Sequence, residues 1–453
     1  MKLKAFLLLG LLFISPLASA ATCVAATYSQ VVACIASNTT VKISANITLG
    51  VGQKILIANK SGVVLDGFYG GVNHSISESL ARYAADTGRY IEVHGSNGIT
   101  IKNIEFKSNF ATLSDCVAGG PRYNLGSCLG MVFFNESDNL LVDNCIFDAA
   151  KTFLVQFASV RDSWITNSNL KMAATYGVWM WAPLYQNVNK NINFYGNTFS
   201  QIGANAIMLG DIEGSWVGNN QFIDNHLLTQ YLGYGGGQVV VEQMHRNSKD
   251  INVTGNVFKT TMPTNASGFE LAAFDNGTTL TNFNLQYNRF EGNPNDAFVI
   301  GPAVGVYSSY IRDNEFINNY RTFKSQTITK AAKGITLSNN YVESSASIGI
   351  SGFADTPTTC TRAPGSSHCS VNIKWDVNLL SGGNLRITVR SATSADDTIS
   401  GRYNFAASIN SDGQQAAPWI DATGVIFEMY YESDYAQAEG WGSPVATITV
   451  KAI

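Results

Sequence analysis

Two glutamates lie between apolar residues in short strand-like stretches, Glu242 in "VVVEQMHR" and Glu270 in "GFELAAFD". A carboxylate with apolar neighbours needs solvent or a partner. Paired carboxylates on adjacent strands can act as acid and base, or as acid and nucleophile, in cleavage of a glycosidic bond. The alternative is two unrelated solvated acids. Asp211, in "IMLGDIEG", precedes them and is a third candidate for the same group.

The separation of the two glutamates depends on strand register. Adjacent strands lie ~4.8 Å apart and each residue advances ~3.3 Å. If Glu270 is level with Val240, the two glutamate backbones are ~8 Å apart, whereas a register that levels the carboxylates brings them to ~5 Å. Both separations suit carboxylate catalysis, so the sequence leaves the register open.

His245 and Arg246 follow Glu242 at the end of the same stretch and suggest a different chemistry. A lyase acting on uronic acids needs a cation opposite the substrate carboxylate and a base for the C5 proton. Arg246 could be that cation and His245 that base, although both residues are also common in turns. Asp211, Glu213 and Glu242 could instead bind Ca²⁺ through oxygen ligands. No calcium-loop motif accompanies them, so we expect no cofactor and leave calcium open.

The segment "YGVWMWAPLY", residues 176–185, is rich in aromatic residues. In a strand, successive side chains point to opposite faces. If Val178 and Met180 point inward, Trp179 and Trp181 point outward, where flat rings suit the apolar faces of sugars. The alternative is that a neighbouring loop covers them.

Further candidates for substrate binding surround these tryptophans. When the later strand of each coil is aligned by its inward apolar residues, Gln156 falls in the same outward columns as Glu92, His94 and the two tryptophans. The insertion at 223–238 carries Tyr231 and Tyr234 beside three glycines. Insertions on one side of a repetitive fold commonly shape the binding face. We therefore predict that this insertion forms a wall of a groove.

The elements that must position these residues form a repeat. Stretches such as "KNINFYGNTF", "DINVTGNVF" and "TNFNLQYNRF" alternate apolar and polar residues, reach an asparagine and end in an aromatic or aliphatic residue. This pattern is typical of a solenoid of short strands. Stacked coils would place the asparagines in a ladder of side-chain amides. The predicted ladder positions are Asn103, Asn144, Asn167, Asn197, Asn220, Asn256, Asn288, Asn314 and Asn340. The residues predicted to stack inside are Phe199, Phe222, Phe258, Phe290 and Phe316.

This pattern resembles the right-handed parallel β-helix of the pectate-lyase-like superfamily, over roughly 40–355. The resemblance implies an all-β solenoid from a group that includes polysaccharide lyases, glycoside hydrolases, sugar epimerases and phage tailspikes. The motifs specific to pectate lyases, polygalacturonases and alginate epimerases are absent. The resemblance therefore names a fold and a substrate class, and no particular activity.

The two ends of the chain differ from the repeat. Residues 1–20 have two lysines, an apolar run and Ala-Ser-Ala, which is typical of a secretory signal peptide. Residues 21–58 are predicted to form a short helical cap and the first strands, followed by the β-helix at 59–356. Residues 357–453 are predicted to form a small antiparallel β-sandwich. The sandwich would cap the solenoid or bind carbohydrate through its aromatic residues Trp419, Tyr430, Tyr431, Tyr435 or Trp441.

The seven cysteines fit an oxidising compartment. Three pairs are close in sequence, and we predict the disulfides Cys23–Cys34, Cys116–Cys128 and Cys360–Cys369. Cys145 is the odd residue and is predicted to be a buried free thiol.

Composition narrows the partners. The net charge is −4, and no basic block or amphipathic basic helix indicates nucleic acid or a membrane surface. We therefore expect a secreted protein that cleaves a polysaccharide held in a groove along the β-helix, by hydrolysis or by β-elimination. The alternative is a non-catalytic carbohydrate-binding or adhesive surface protein. The sugar, the linkage and the oligomeric state are left open.

Overall fold

The computed structural model describes most of the chain after the predicted signal peptide. The described residues are 21–85, 88–109, 130–150, 152–180, 187–227, 237–243, 245–261, 267–273, 278–293, 296–300, 305–319, 321–323, 335–338, 341–343, 350–352, 357–377, 385–392, 403–410, 413–431 and 446–453.

Three long parallel sheets form the main body of the protein. The three sheets are numbered 1 to 3 in the order in which the chain passes through them in each coil. Each strand pairs with its counterparts in the preceding and following coils. This winding is a right-handed parallel β-helix, as the repeat predicts. Its strands are short because each coil turns three corners. Within each strand, successive side chains point alternately to the core and to the surface.

Sheet 1 consists, in order, of Ala21–Ala25, Thr39–Ile43, Val64–Asp66, Thr100–Lys102, Leu141–Asp143, Arg161–Thr166, Asn189–Tyr195, Ile212–Gly218, Ser248–Thr254, Thr279–Gln286, Ser309–Arg312 and Ile335–Ser338, with Gly305–Tyr307 also paired to Thr279–Gln286. Sheet 2 consists of Ile47–Leu49, Val72–Glu78, Ile104–Lys107, Ile146–Ala150, Asn169–Ala173, Thr198–Ser200, Gln221–Ile223, Val257–Lys259, Arg289–Glu291, Glu315–Ile317 and Tyr341–Glu343, with Phe68–Tyr69 paired to Val72–Glu78. Sheet 3 consists of Ile55–Ala58, Ile91–His94, Val132–Asn135, Phe153–Ala158, Tyr176–Met180, Ile207–Gly210, Gly237–Gln243, Ser267–Ala273, Asp296–Ile300 and Arg321–Phe323.

A column of phenylalanines fills the interior beside sheet 2. Neighbouring rings are near parallel, with centroids 4.6–5.1 Å apart. The column consists of Phe199, Phe222, Phe258, Phe290 and Phe316, each at most 1% exposed. The predicted inner stack is therefore confirmed, and each ring gains from burial and from its stacked neighbour.

An asparagine ladder runs along the turn between sheets 1 and 2. The Nδ2 atoms of Asn197, Asn220, Asn256 and Asn288 each donate to the Oδ1 atom of the next asparagine at 2.9–3.0 Å, and the last acceptor is Asn314. The same Oδ1 atoms accept backbone N–H groups at 2.9–3.0 Å. The buried amides thus satisfy both one another and the turn backbone.

Three of the predicted ladder positions are wrong by one residue. Asn103, Asn144 and Asn167 have left-handed backbones, with φ of 57°, 49° and 48°, and lie just before the ladder position. In two of these coils Cys145 and Ser168 occupy that position instead. Asparagine suits a left-handed turn residue as well as a ladder amide, so the sequence pattern alone does not separate the two columns. The ninth predicted position, Asn340, lies outside the described residues.

The N-terminal helix Tyr28–Cys34 covers the start of the solenoid. Thr27 caps it by accepting a hydrogen bond from the backbone N–H of Gln30, and Val31 and Cys34 are buried. The helix contacts the first strands of all three sheets, as a cap requires. A second helix, Leu80–Ala85, follows the strand Val72–Glu78.

The C-terminal region has a different architecture and its own core. One sheet consists of Ile350–Gly352, Cys369–Val377 and Gly413–Ile420. The other consists of Thr359–Cys360, Ala446–Ala452, Val425–Tyr431, Leu385–Ser391 and Tyr403–Ile409. Ile373 and Ala417 of the first sheet share one apolar cluster with Leu385 and Phe427 of the second. This is the small, largely antiparallel sandwich that the sequence predicts, and the boundary at 357 stays a prediction.

Two of the predicted disulfides are present, Cys23–Cys34 and Cys360–Cys369. The third predicted pair, Cys116 and Cys128, lies outside the described residues. Cys145 is a buried free thiol, as predicted. Its Sγ donates to the backbone carbonyls of Ile101 and Asp143. Cys145 thus occupies the ladder position that asparagine occupies in later coils.

Candidate active site on sheet 3

Sheet 3 presents two columns of side chains on the face opposite the core. The first column consists of Leu56, Glu92, Phe133, Gln156, Trp179, Met208, Val240, Glu270 and Val299. The second column, two residues further along each strand, includes Ala58, His94, Asn135, Ala158, Gly210, Glu242 and Ala272. Glu242 and Glu270 are thus diagonal neighbours on adjacent strands.

The register settles the alternative that the sequence left open. Glu270 is opposite Val240, and Glu242 is opposite Ala272. The two glutamate backbones are therefore ~8 Å apart. The neighbours of Glu242 within its column are Gly210 and Ala272, whose small size leaves room beside its carboxyl group.

Glu242 is a buried carboxyl group, only 4% exposed. Among the described residues it has no hydrogen bond or ion pair to its carboxylate. Burial, together with the negative charges of Glu270 and Asp211, raises the pKa of Glu242 to about 8. The group therefore retains its proton at neutral pH, which its ordinary pKa of 4.5 would not allow.

Glu270 occupies a more open position and is half-buried. The strand that carries Glu242 begins close beside it. A Cβ atom on Gly237 would lie 2.9 Å from both the Cβ and the backbone N of Glu270. Glycine at this point lets the two strands bring the acid pair together.

A buried polar network holds the start of the Glu242 strand. Gln238 is fully buried, accepts from the Nδ2 of Asn225 at 3.0 Å, and donates to Thr260 and Asn293 at 3.3 and 3.4 Å. Asn293 donates in turn to Asn319. The sequence pattern did not reveal this second polar ladder, because its members are of three residue types and the spacing is irregular.

Asp211 is connected to the strand of Glu242, and to the turn after it, by hydrogen bonds with backbone groups. It is 1% exposed, and its Oδ1 accepts the backbone N–H groups of His245 and Arg246, each at 3.1 Å. Its own N–H donates to the carbonyl of Glu242. Asp211 thus fixes the chain just after the Glu242 strand, and its charge contributes to the raised pKa of Glu242.

His245 and Arg246 lie at this fixed turn. His245 is exposed and Arg246 is half-buried. Both residues follow the strand that carries Glu242, and Asp211 holds their backbone N–H groups.

Trp179 lies in the first column but is part of an aromatic cluster. It is half-buried, with the Tyr176 ring stacked at 5.9 Å and the Phe153 ring tilted at 5.4 Å. Val178 and Met180 on either side are fully buried, so the predicted alternation holds at this residue. Trp181, Tyr231 and Tyr234 lie outside the described residues, and their roles stay predictions.

Gln156 is 3% exposed, and its Oε1 accepts from the Nη2 of Arg89 at 2.9 Å. Any effect of Gln156 on a ligand would therefore act through Arg89. The Arg89 guanidinium also lies 3.7 Å from the centre of the Phe133 ring and 3.5 Å from Glu92. Lys54 pairs with the same glutamate at 2.7 Å.

Glu92 belongs to the predicted outward face. The structure adds Lys54, Arg89 and Phe133 as its neighbours. The alternation in "MVFFN" was the available signal for Phe133. Nothing in the sequence indicated Lys54 and Arg89, because both precede their strands.

The residues suggested for calcium do not come together. Glu213 belongs to sheet 1, where it pairs with Lys190 at 2.8 Å and Lys249 at 3.8 Å. Asp211 and Glu242 belong to the sheet 3 side of the corner, because the chain turns between positions 210 and 212. In the described part of the chain no group of three or more His, Cys, Asp or Glu side chains is arranged to hold a metal ion.

The strand pairing defines the class: the chain is a right-handed parallel β-helix protein. Among similar solved structures is endo-xylogalacturonan hydrolase from Aspergillus tubingensis, at 10% identity and TM-score 0.49, covering 72% of this chain and 93% of that one. Geobacillus virus E2 ORF18 has 12% identity and TM-score 0.48, covering 88% of this chain and 74% of that one. The A-module of mannuronan C-5 epimerase AlgE6 from Azotobacter vinelandii has 11% identity and TM-score 0.44, covering 68% and 84%.

These likenesses concern the fold, and no substrate or chemistry is carried over from them. The chain matches no family model and no curated protein. Within the described residues, no helix has the length and apolar character to cross a membrane.

Proposed function

We propose that the protein is a secreted enzyme that cleaves a polysaccharide bound along the outer face of sheet 3. The observation that carries this proposal is the buried carboxyl group of Glu242, which lies beside Glu270 and Asp211 and has no hydrogen-bond partner among the described residues. A carboxyl group held in this way costs free energy, and such groups are concentrated at functional sites. Strongly perturbed carboxyl pairs are the usual acid and base of glycosidases.

The environments of the two glutamates suggest their roles. Glu242, with its raised pKa, would be the general acid that gives its proton to the oxygen of the scissile glycosidic bond. Glu270, more open to solvent, would activate a water molecule or attack the anomeric carbon. Asp211 would keep Glu242 protonated and hold the turn that follows it.

The spacing of the backbones is compatible with both stereochemical outcomes. Carboxyl groups ~5–5.5 Å apart favour a glycosyl-enzyme intermediate, and groups ~6.5–9.5 Å apart leave room for a water molecule. Backbones ~8 Å apart allow flexible glutamate side chains to reach either range. The configuration of the first-formed product would therefore identify the role of Glu270.

Sugar binding would extend across the stacked strands of sheet 3, along the axis of the solenoid. Trp179 lies in the same column as Glu270, three strands away, which is ~14 Å. That distance corresponds to a short oligosaccharide. Trp181, Tyr231 and Tyr234 are proposed to complete the binding surface on the basis of the sequence.

A second candidate chemistry is β-elimination of a uronic-acid polymer. The Asp211 anchor favours it, because the two backbone hydrogen bonds give His245 and Arg246 a fixed position. In that case Arg246 would neutralise the substrate carboxylate and His245 would remove the C5 proton.

A panel of neutral and acidic polysaccharides tests the function, with wild type, Glu242→Gln and the control Glu213→Gln. New reducing ends without an unsaturated product indicate hydrolysis, whereas ultraviolet absorbance of a 4,5-unsaturated end indicates elimination. We expect Glu242→Gln to lose at least 100-fold in turnover and to retain binding, since the amide preserves shape but cannot donate the proton. Glu213→Gln, on sheet 1, should leave turnover unchanged.

Two outcomes would contradict the assignment. Full cleavage by Glu242→Gln would transfer the catalytic role to His245 and Arg246. Binding without cleavage of any polysaccharide by wild type would favour the non-catalytic, adhesive function.

Secretion is part of the proposal and rests on the first twenty residues together with the disulfides. N-terminal sequencing of protein collected outside the cytoplasm should begin at Ala21. An intact Met1 in that fraction would contradict processing at this site.

A further inference from the structure

A cleft of about 530 Å³ opens in the C-terminal sandwich, outside the proposed catalytic face. Its aromatic lining is formed by Tyr403, Phe405 and Trp419. Tyr403 is 72% exposed and Trp419 is 40% exposed. Exposed rings of this size are costly in water, and clefts of about 300–1,000 Å³ are typical of ligand sites.

The Trp419 ring is held rigidly from behind. The fully buried Phe427 ring lies within 28° of parallel to it, with centroids 5.9 Å apart. Phe405 meets it edge to face at 6.3 Å and also packs on Phe427 at 5.0 Å. The core of the sandwich thus fixes an indole that is still accessible, so that a ligand can stack on it with little loss of side-chain entropy.

Polar groups surround these rings. Asn404, Gln415, Arg390 and Asp421 also line the cleft. The Oδ1 of Asp421 accepts hydrogen bonds from Thr423 and Gly424, which hold its pKa below the usual range, led by the Thr423 side chain. Flat aromatic faces bordered by amides and a carboxylate match the alternation of C–H faces and hydroxyl groups on a sugar.

The charges in the cleft favour an uncharged ligand. Arg390 is paired at 3.1 Å with Glu428, which is 3% exposed and also accepts from the Tyr430 hydroxyl at 3.0 Å. Among the described lining residues, the other charged group is Asp421, whose pKa is lowered. A polyanion would meet this carboxylate without a free cation among those described residues to balance it.

The buried position of Tyr430 corrects one expectation from the sequence. Tyr430 is 1% exposed and supports Glu428 from within the core, so it does not contact a ligand. Trp419 keeps its predicted availability, and Tyr403 lines the same cleft from the edge strand of the other sheet. Tyr435 and Trp441 lie outside the described residues.

We infer that this cleft is a second carbohydrate site, which binds a neutral sugar chain by stacking on Trp419 and Tyr403. The site is independent of the acid pair on sheet 3. It would hold the protein on a polysaccharide while leaving cleavage of short soluble substrates unaffected.

A glycan array of neutral and acidic polysaccharides tests this inference with the full-length mature protein. The variants are Tyr403→Ala and Trp419→Ala, with Tyr287→Ala as the control. Tyr287 belongs to the β-helix and is 60% exposed. We expect wild type and Tyr287→Ala to bind a common set of neutral glycans. Tyr403→Ala and Trp419→Ala should each bind them at least tenfold more weakly, in line with the loss of a stacked ring.

Two further variants make the outcomes decisive. Trp419→Phe keeps a ring on Phe427 and should regain part of the binding, which separates stacking from loss of folding. Adding Trp419→Ala to a Trp179→Ala background should again weaken neutral-glycan binding at least tenfold, which separates the cleft from the sheet 3 site. The inference is overturned if wild type binds no neutral glycan, if binding is confined to acidic glycans, or if the Tyr403 and Trp419 variants bind as wild type does.

Discussion

At the scale of single residues, the decisive feature is the difference between two glutamates that look alike in the sequence. Glu242 and Glu270 both have apolar sequence neighbours. The fold buries the first and leaves the second half-exposed. Burial disfavours a charge, so the pKa of Glu242 is raised above its ordinary value. A division of labour between acid and base follows from that difference.

The pH dependence of the proposed activity follows from Glu242. Its pKa is raised to about 8, so the proton-donating form is present below that value and is lost above it. We expect kcat to fall tenfold per pH unit above about 8 if Glu242 is the only acid lost. A rate profile with a soluble substrate checks this, and a rate that stays constant well above that pH would exclude Glu242 as the acid.

The same group links stability to pH. Between its ordinary pKa of 4.5 and about 8, the folded protein binds more protons at Glu242 than the unfolded chain does. The stabilisation is complete below 4.5 and is lost as the pH rises through about 8. The Tm of the wild type should therefore fall relative to that of Glu242→Gln as pH rises across this interval. Parallel Tm curves for the two proteins would show that Glu242 is not shifted.

At the scale of elements, stacked polar side chains determine the register of the coils. The asparagine ladder satisfies buried turn groups between sheets 1 and 2, and the Gln238 network does so at the start of the Glu242 strand. A strand that slipped by one residue would turn its side chains to the opposite face and break these hydrogen bonds. The ladders therefore position the catalytic candidates as well as stabilise the solenoid.

Removal of one rung tests this dependence. Asn256→Ala removes the side-chain acceptor of the buried Asn220 backbone N–H and the side-chain donor to the Val217 carbonyl. We expect a loss of about 1–3 kcal/mol in the free energy of unfolding. The control Asn252→Ala, on the half-buried outer face of sheet 1, should cost less because water can replace the lost bond. Denaturant unfolding measures both, and equal effects would contradict a special role for the ladder.

At the scale of the whole molecule, the described residues form two separate apolar cores. One runs through the parallel coils and the other joins the two C-terminal sheets. Because no buried residue belongs to both clusters, we expect two units that unfold separately. This division would let a rigid cleaving body and a binding module evolve and act independently.

Calorimetry of two core variants tests the division. Phe222→Ala removes a fully buried ring from the β-helix, and Ile373→Ala opens a cavity in the sandwich. Each should cost about 2–5 kcal/mol and lower the midpoint of a different transition. A single transition that both variants lower equally would show that the cores unfold as one unit.

Much of the architecture follows from the sequence, because period-two alternation and the recurring Asn–aromatic spacing are local signals. They predicted the parallel solenoid, the inner phenylalanine column, the N-terminal helix and the C-terminal sandwich. They did not separate the ladder from the left-handed column one residue away, since asparagine satisfies both positions. They did not predict the Gln238 network. Its members occupy equivalent positions in successive coils but differ in residue type, so no recurring residue marks them in the sequence.

The sequence by itself determined which residue types were available for chemistry: the two glutamates, Asp211, and the pair His245 and Arg246. Only the tertiary structure decided the register that makes the glutamates diagonal neighbours, the burial that keeps Glu242 protonated, and the backbone bonds that tie Asp211 to the turn. It also placed Tyr430 in the core and left Trp419 at the surface. The physical reason is that a pKa and an exposed fraction depend on neighbours from other coils, tens of residues away along the chain.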